Sequence, residues 1–118
     1  MDLGSGLLAE GAWLGLADEP SVAQVLSEAP GALCFSADKL LGASQAGILL
    51  IAPRHVQAFR SNPLLRALRA DKLAYFLLGQ VLAAYRSGRL RDIPALALLS
   101  TPAAELRRRA RALKRKVE

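Results

Sequence analysis

The chain has 118 residues, of which 53% are hydrophobic and 22% are charged. This length suits one small domain, and the composition excludes both a disordered polyelectrolyte and a low-complexity linker. The formal charge of +6 is concentrated near the end of the chain, where basic residues crowd into residues 107–116. A polyanionic partner is therefore plausible, but charge alone does not identify RNA.

The cysteine and histidine content limits the chemistry that the side chains can provide. Cys34 is the one cysteine, so no internal disulfide or cysteine-based metal site can form, and a reducing cytoplasm is the expected compartment. His55 has no evident partner for thiol catalysis, and no metal site is expected. The start of the chain lacks the basic residues of a secretory signal. The longest uncharged run, residues 40–53, is too short to span a bilayer, so we expect a soluble protein.

The first half of the chain predicts short elements. Residues 1–15 are rich in glycine and lack periodicity, which predicts a loop with at most a brief strand end. A short helix is expected over residues 20–29, with Pro20 in its first turn and acidic residues beside its positive end. Two apolar runs, residues 32–35 and 46–52, predict strands that are buried on both faces.

The second half predicts helices. A short helix is expected over residues 54–59, and a longer one over residues 64–85. The longer helix carries no charge from Leu73 until its end, so most of its circumference must be covered, which indicates that partner surface is missing. Thr101 and Pro102 predict the start of a terminal helix that docks on a core and exposes a cationic face. Its apolar stripe consists of Leu106, Ala110, Leu113 and Val117.

A serine and a lysine three positions apart follow the first predicted strand. Ser36 and Lys39 stand between that strand and the glycine-containing turn at Gly42. A lysine amine forms a Schiff base with an aldehyde cofactor when its surroundings favour the neutral amine, and a serine hydroxyl can bind a cofactor phosphate. Taken alone, this spacing is more often accidental, and a surface lysine is the stronger explanation.

Several dispersed segments resemble, in order, one protein family. The stretch FSADKLLGASQAG, residues 35–47, is similar to the family's lysine-bearing segment, and RALRADKL follows at residues 66–73 after Asn62 and Pro63. The segments DLGSG, DEPSV and IPALALLSTPAAELRRRA resemble a strand end, a helix entry and a later linker with its helix. On these motifs the chain resembles the bacterial L-seryl-tRNA(Sec) selenium transferases, and in particular the C-terminal part of their catalytic domain in truncated form.

The resemblance implies an α/β fold and a cofactor. The chain would be a fragment of the large domain of a fold-type I transferase that depends on pyridoxal 5'-phosphate, with the following helices of the small domain. Residues 1–62 would form the lysine-bearing, C-terminal part of the cofactor-binding large domain. Residues 63–118 would form a helical connection and the start of the C-terminal small domain.

The resemblance also implies roles for four residues. Lys39 would anchor pyridoxal 5'-phosphate and then remove the proton from the substrate Cα. Asp38 would assist this proton transfer. Asp2 would be the acidic partner of the cofactor's pyridine nitrogen, and Ser36 would bind its phosphate.

The implied reaction is the conversion of seryl-tRNA(Sec) to selenocysteinyl-tRNA(Sec) with selenophosphate, by a cytoplasmic homo-oligomer. Family members are several times longer and supply the rest of the cofactor site from upstream segments, so we expect no turnover by this chain alone. The chain also departs from the family pattern. Ala37 replaces a glycine beside the lysine, and Ala43 with Ser44 replaces a glycine-proline pair. A methyl group at position 37 would displace the lysine if that position needs a positive φ.

Two alternatives remain open from the sequence. The first is a fragment of a related pyridoxal-phosphate lyase that acts on a small amino acid or sugar acid. The second is a non-enzymatic remnant whose apolar faces drive self-association, or whose basic final helix binds RNA without sequence specificity.

Overall fold

A computed structural model describes residues 1–117 and contains a small mixed sheet with helices. The three strands are β1, Asp2–Gly4, β2, Ala32–Ser36, and β3, Gly47–Ile51, and they lie in the order β1-β2-β3. β1 pairs with β2 in parallel, whereas β2 and β3 are antiparallel. The predicted α/β class, the loop-like start with a brief strand and the two apolar strands are confirmed.

One face of the sheet is covered and the other is not. Leu33 and Phe35 of β2 are buried, while Cys34 and Ser36 point to the opposite face and are only half-buried. On β3, Leu49 lies opposite Cys34 and has 41% of its surface exposed. The expectation that these strands are buried on both faces is therefore wrong for β3, because the helices of this chain pack against one side of the sheet only.

Helix α1, Val22–Ser27, covers the buried face of the sheet. It begins with a capping box in which the Ser21 hydroxyl accepts a hydrogen bond from the Gln24 amide and the Gln24 side chain accepts one from the Ser21 amide. Pro20 precedes this cap, so its expected position in the first helical turn is wrong. Val22 and Val25 lie one turn apart and are both buried.

The predicted helix over residues 64–85 is broken. A 3-10 turn, Pro53–His55, leads into α2, Val56–Ser61, where the expected short helix is confirmed, and then α3, Pro63–Ala67, and α4, Lys72–Arg86, follow as separate helices. The break arises at Asp71, whose carboxylate accepts a hydrogen bond of 2.7 Å from the Ala74 amide and caps α4.

The core consists of two hydrophobic clusters that meet at Tyr85. The sheet cluster contains Val22, Val25, Leu33, Phe35, Ala37 and Leu41. The loop cluster joins the N-terminal loop, including a 3-10 turn at Gly11–Leu14, to the end of α4 and to α5, Pro94–Leu99, through Leu7, Ala9, Leu14, Ala84, Ile93 and Leu96. Tyr85 is partly buried and packs against both clusters.

The outward face of α4 and the whole terminal helix lack a covering layer. Leu73 and Phe76 of α4 are 63% and 61% exposed. In α6, Ala103–Val117, Leu106, Leu113 and Val117 are all exposed. The expectation that this helix docks its apolar stripe on a core is therefore wrong within residues 1–117. None of the helices described there is long and apolar enough to cross a membrane.

A close approach at Gly42 joins the turn after β2 to the segment before α5. Gly42 has a φ of +81°, and an added Cβ would lie 2.5 Å from the Cγ2 atom of Ile93. The substitution Gly42→Ala therefore combines left-handed strain with a steric clash, and we expect it to lower the free energy of unfolding by about 2–4 kcal/mol.

Urea unfolding checks this expectation, with Gly47→Ala as the matched control. A Cβ at Gly47 meets nothing within 4 Å, and its φ is not positive. The control should change stability by less than about 1 kcal/mol. Equal effects of the two substitutions would contradict the steric explanation.

Candidate functional site

The candidate site lies at the carboxyl edge of the parallel strand pair. Because β1 and β2 run in the same direction, the segments that follow them emerge at one edge of the sheet. Ser5 follows β1, and the turn of residues 37–43 follows β2 and carries Lys39. The Leu40 amide donates a hydrogen bond of 2.9 Å to the Ser5 carbonyl, which joins the two segments.

The backbone of this lysine turn, residues 37–43, is fixed by its own hydrogen bonds. The Ala37 amide donates to the Ala46 carbonyl at 2.8 Å, and the Ala43 amide donates to the Ala37 carbonyl at 2.8 Å. The Gly42 amide donates to the Lys39 carbonyl at 3.0 Å. The Ala37 methyl group is fully buried in the sheet cluster. The backbone that carries the lysine is therefore ordered on the side that faces the sheet.

The Lys39 side chain is exposed. Its Nζ atom lies 3.9 Å from the Asp38 Oδ1 atom, and the two side chains are 56% and 39% exposed. An ion pair this long and this exposed contributes little to stability and does not hold a flexible side chain in place. Residues 1–117 therefore do not enclose the amine, and the position of Nζ depends mainly on the backbone beneath it.

Asp2 and Ser36 lie on the same face of the sheet. Asp2 is in register with Cys34 of the neighbouring strand, and Ser36 follows two positions later, so all three side chains point away from the sheet cluster. The Asp2 carboxylate accepts a hydrogen bond of 2.9 Å from the Gly4 amide. Among the described residues, neither Asp2 nor Ser36 forms a hydrogen bond or ion pair with Lys39.

Two residues near the lysine turn were missed by the sequence interpretation. The Tyr85 hydroxyl of α4 donates toward the carbonyls of Leu40 and Leu41, each at 3.3 Å. The Ser5 hydroxyl is buried and has no hydrogen-bond partner within residues 1–117. The predicted helix over residues 64–85 contains two tyrosines, Tyr75 and Tyr85, and a buried phenol needs an acceptor, but the sequence did not indicate which of the two is buried. The sequence offered no comparable signal for Ser5.

The side chains at this edge of the sheet include the groups that pyridoxal 5'-phosphate needs. The cofactor needs an amine for its aldehyde, a carboxylate for its protonated pyridine nitrogen and hydroxyl or amide donors for its phosphate. Lys39, Asp2 and Ser36 provide one group of each kind, and the buried, unpaired hydroxyl of Ser5 adds a polar atom beside the turn. No group of three or more potential metal ligands occurs within residues 1–117.

The departures from the expected pattern around Lys39 fit the fold without strain. Ala29 is the one non-glycine residue with a positive φ in the described chain, so Ala37 adopts an ordinary backbone conformation. The displacement of the lysine that a positive φ at position 37 would imply therefore does not arise in this structure. Ser44 forms a long hydrogen bond of 3.5 Å from its hydroxyl to the Ala74 carbonyl of α4.

The basic face of α6 is a separate surface. Glu105 accepts hydrogen bonds from Arg108 and Arg109 at 2.7 Å each, and these bonds, first of all that of Arg108, lower the pKa of Glu105 to about 2. An open groove along this helix is lined by Ala104, Arg107, Arg108, Arg111 and Arg115. These side chains are solvated, and within residues 1–117 no second structural feature indicates a bound polyanion.

Comparisons with known proteins agree on one family. A family model described as L-seryl-tRNA selenium transferase matches residues 1–118. The L-seryl-tRNA(Sec) selenium transferases of Helicobacter hepaticus and Geobacter sulfurreducens are 43% and 41% identical over 116 and 118 residues. These alignments cover 98% of this chain but 25% and 26% of the relatives. The chain therefore spans about a quarter of the length of the curated relatives it matches.

The partly buried hydroxyl of Tyr85 makes the free energy of unfolding depend on pH in the alkaline range. Burial raises the pKa of Tyr85 from 10.0 to about 12. Folding thus favours the neutral phenol, and this contribution to stability is complete below pH 10.0 and is lost as the pH rises to about 12. The stability advantage of the wild type over Tyr85→Phe should therefore shrink as the pH rises through this window.

Urea unfolding on both sides of pH 10.0 measures this difference. Tyr75→Phe, which removes a phenol that is 59% exposed, is the matched control. A pH-independent difference between the wild type and Tyr85→Phe would contradict the assignment.

Proposed function

The chain belongs to the L-seryl-tRNA selenium transferase family, and on that premise we propose that it is the lysine-bearing segment of a pyridoxal-phosphate enzyme. The proposed reaction converts L-seryl-tRNA(Sec) to selenocysteinyl-tRNA(Sec) with selenophosphate as the selenium donor. The observation that carries the proposal is the family match over residues 1–118, in which Lys39 follows a strand at the carboxyl edge of a parallel pair. Its relatives bear names that specify seryl-tRNA(Sec) as substrate and selenium as the transferred element.

We propose the corresponding division of the chain. Residues 1–62, which contain the sheet and the lysine turn, belong to the C-terminal part of a fold-type I large domain. Residues 63–118, which are mostly helical, form the connection to the small domain and its start. The loop cluster supports a continuous structure across this boundary, because Leu7 and Leu14 pack with Ala84 and Ile93.

The proposed roles of the site residues follow from their chemistry. When bound, pyridoxal phosphate supplies an electron-accepting ring that stabilises negative charge at the substrate Cα. The Lys39 amine would hold the cofactor's aldehyde covalently, and Nζ, once free, would accept the proton from the substrate Cα. Asp38, whose carboxylate lies 3.9 Å from Nζ, stabilises the protonated amine.

Asp2 and Ser36 would hold the two ends of the cofactor. The Asp2 carboxylate keeps the pyridine nitrogen protonated, and the Ser36 hydroxyl donates to the phosphate. Their common face on the sheet supports this pairing, because both side chains then act on a ligand from the same side.

This chain supplies only part of the site. Lys39 is exposed in it, and the outward face of the sheet is uncovered, so the dry and preorganised surroundings that catalysis needs must come from other segments. We propose that the chain alone has no turnover, and that the complete enzyme is a cytoplasmic homo-oligomer. An aminoacyl-tRNA substrate, as in the relatives' names, supports the cytoplasmic location.

The direct test is site-selective labelling of Lys39. Purified chain is mixed with pyridoxal phosphate, reduced with borohydride and mapped by peptide mass spectrometry, alongside Lys39→Ala and Lys72→Ala. Lys72 is an exposed lysine at the start of α4 and serves as the matched control. We expect the label on Lys39 in the wild type and in Lys72→Ala, and the loss of most label in Lys39→Ala. Label spread evenly over the lysines would contradict a retained cofactor site.

Self-association is a second candidate function, and the exposed apolar face of α4 favours it. Leu73 and Phe76 lie one turn apart on this face and are mostly exposed, and apolar surface of this kind is buried when a partner is available. Sedimentation velocity at increasing concentration should reveal association that Phe76→Lys weakens by about ten-fold or more, because the charge would have to be desolvated.

Leu98→Lys on α5 is the matched control, because Leu98 is 65% exposed but lies outside α4. A monomer at all concentrations would exclude this candidate. Equal effects of the two lysine substitutions would show that the association is not specific to α4.

A further inference from the structure

We propose that Tyr85 is a positioning residue for Lys39, and that its hydroxyl holds the lysine turn against α4 through the carbonyls of Leu40 and Leu41. The inference rests on the proposed function, because it assigns to Tyr85 an effect on the reaction of Lys39 with the cofactor. It concerns a residue far along the chain, 45 positions from Leu40.

The geometry indicates one hydroxyl shared between two acceptors. The Tyr85 Oη atom lies 3.3 Å from the Leu40 oxygen and 3.3 Å from the Leu41 oxygen. Both distances exceed the usual value of about 2.7–2.8 Å for a single O–H···O bond, as is expected for a three-centre hydrogen bond. These carbonyls belong to the two residues that directly follow Lys39, so the contact acts on the two peptide units that come after the one joining Lys39 to Leu40.

The lysine turn forms hydrogen bonds on two sides. On the sheet side, the Leu40 amide donates to the Ser5 carbonyl, and the Ala37 amide donates to the Ala46 carbonyl. On the helix side, the hydrogen bonds of Tyr85 act directly on the turn, and Ser44 adds a longer one just beyond it. Without Tyr85, the backbone that follows Lys39 would keep its sheet-side hydrogen bonds but lose these hydrogen bonds to α4.

The Tyr85 ring is well placed for this role because it packs against two hydrophobic clusters. It packs against both the sheet cluster and the loop cluster, so its hydroxyl is a fixed donor. Desolvation by burial also raises the pKa of Tyr85 to about 12, so the hydroxyl remains a donor further into the alkaline range. Lys39 has no comparable packing and is 56% exposed. The position of Nζ is therefore set by the turn, and the turn is set in part by Tyr85.

The test compares Tyr85→Phe with a matched hydroxyl deletion on the same helix. Phenylalanine keeps the ring that fills both clusters and removes only the hydroxyl. Ser87→Ala is the control, because the Ser87 hydroxyl also donates to two carbonyls, those of Ala83 and Ala84, but both lie within α4. Circular dichroism establishes that each variant is folded before labelling.

Borohydride trapping over time, at several pyridoxal phosphate concentrations, gives a limiting rate and a half-saturation concentration for each lysine. We expect Tyr85→Phe to lower the limiting rate at Lys39 by about five-fold, the size of effect that one lost hydrogen bond produces. Labelling of Lys72 in the same samples should not change, and Ser87→Ala should behave like the wild type. A general loss of structure would instead alter both lysines, or both variants, alike.

Hydrogen exchange of the peptide that contains residues 37–43 provides a second readout that needs no cofactor. Tyr85→Phe should accelerate exchange in this peptide, while the amides of β3 keep their protection. An unchanged Lys39 rate in Tyr85→Phe, or an equal decrease in Ser87→Ala, overturns the inference. If the wild type shows no preference for Lys39, the proposed function fails, and unchanged exchange in Tyr85→Phe then overturns the positioning role independently.

Discussion

The parallel pairing of β1 with β2 is the constraint on which the candidate site depends. It aligns the ends of two strands that are far apart in sequence, so that Ser5 and the lysine turn emerge at the same edge of the sheet. It also places Asp2 in register with Cys34, and therefore on the face that carries Ser36. An antiparallel arrangement would send the two following segments to opposite edges of the sheet and separate the carboxylate from the amine. The site is thus a result of strand direction more than of any side-chain contact.

The described helices cover one side of the sheet only, and most of the exposed large hydrophobic residues lie on the helices themselves. Helices α1 and α4 pack against the face of Leu33 and Phe35, while the opposite face and the outer side of α4 remain open. The relatives are about four times as long as the chain, and in them other segments are available to cover such surfaces. Lys39 and these apolar faces are thus exposed because no other part of residues 1–117 packs over them.

The sequence predicted the strands and the short helices well, and it predicted the contacts between distant residues poorly. The strands at Ala32–Ser36 and Gly47–Ile51 followed from apolar runs between glycine and proline, and the break at Ser61 followed from Asn62 and Pro63. The single helix over residues 64–85 was wrong because Asp71 prefers to cap α4 over continuing a helix. Lys39 could be singled out by motif resemblance. The hydrogen bonds of Tyr85 to the lysine turn could not be predicted, since no local pattern encodes a contact across 45 positions.

The pairing of β1 with β2 has a consequence for the order in which the molecule assembles. The Met1 amine donates to the Ala32 carbonyl across 31 positions, and the Leu40 amide donates to the Ser5 carbonyl. By contrast, β2 and β3 are joined by a short connection. Contacts that close long loops form late, because the loss of chain entropy precedes any compensating contact. The β2–β3 hairpin can therefore form before β1 docks, and the edge that carries Lys39 is complete only afterwards.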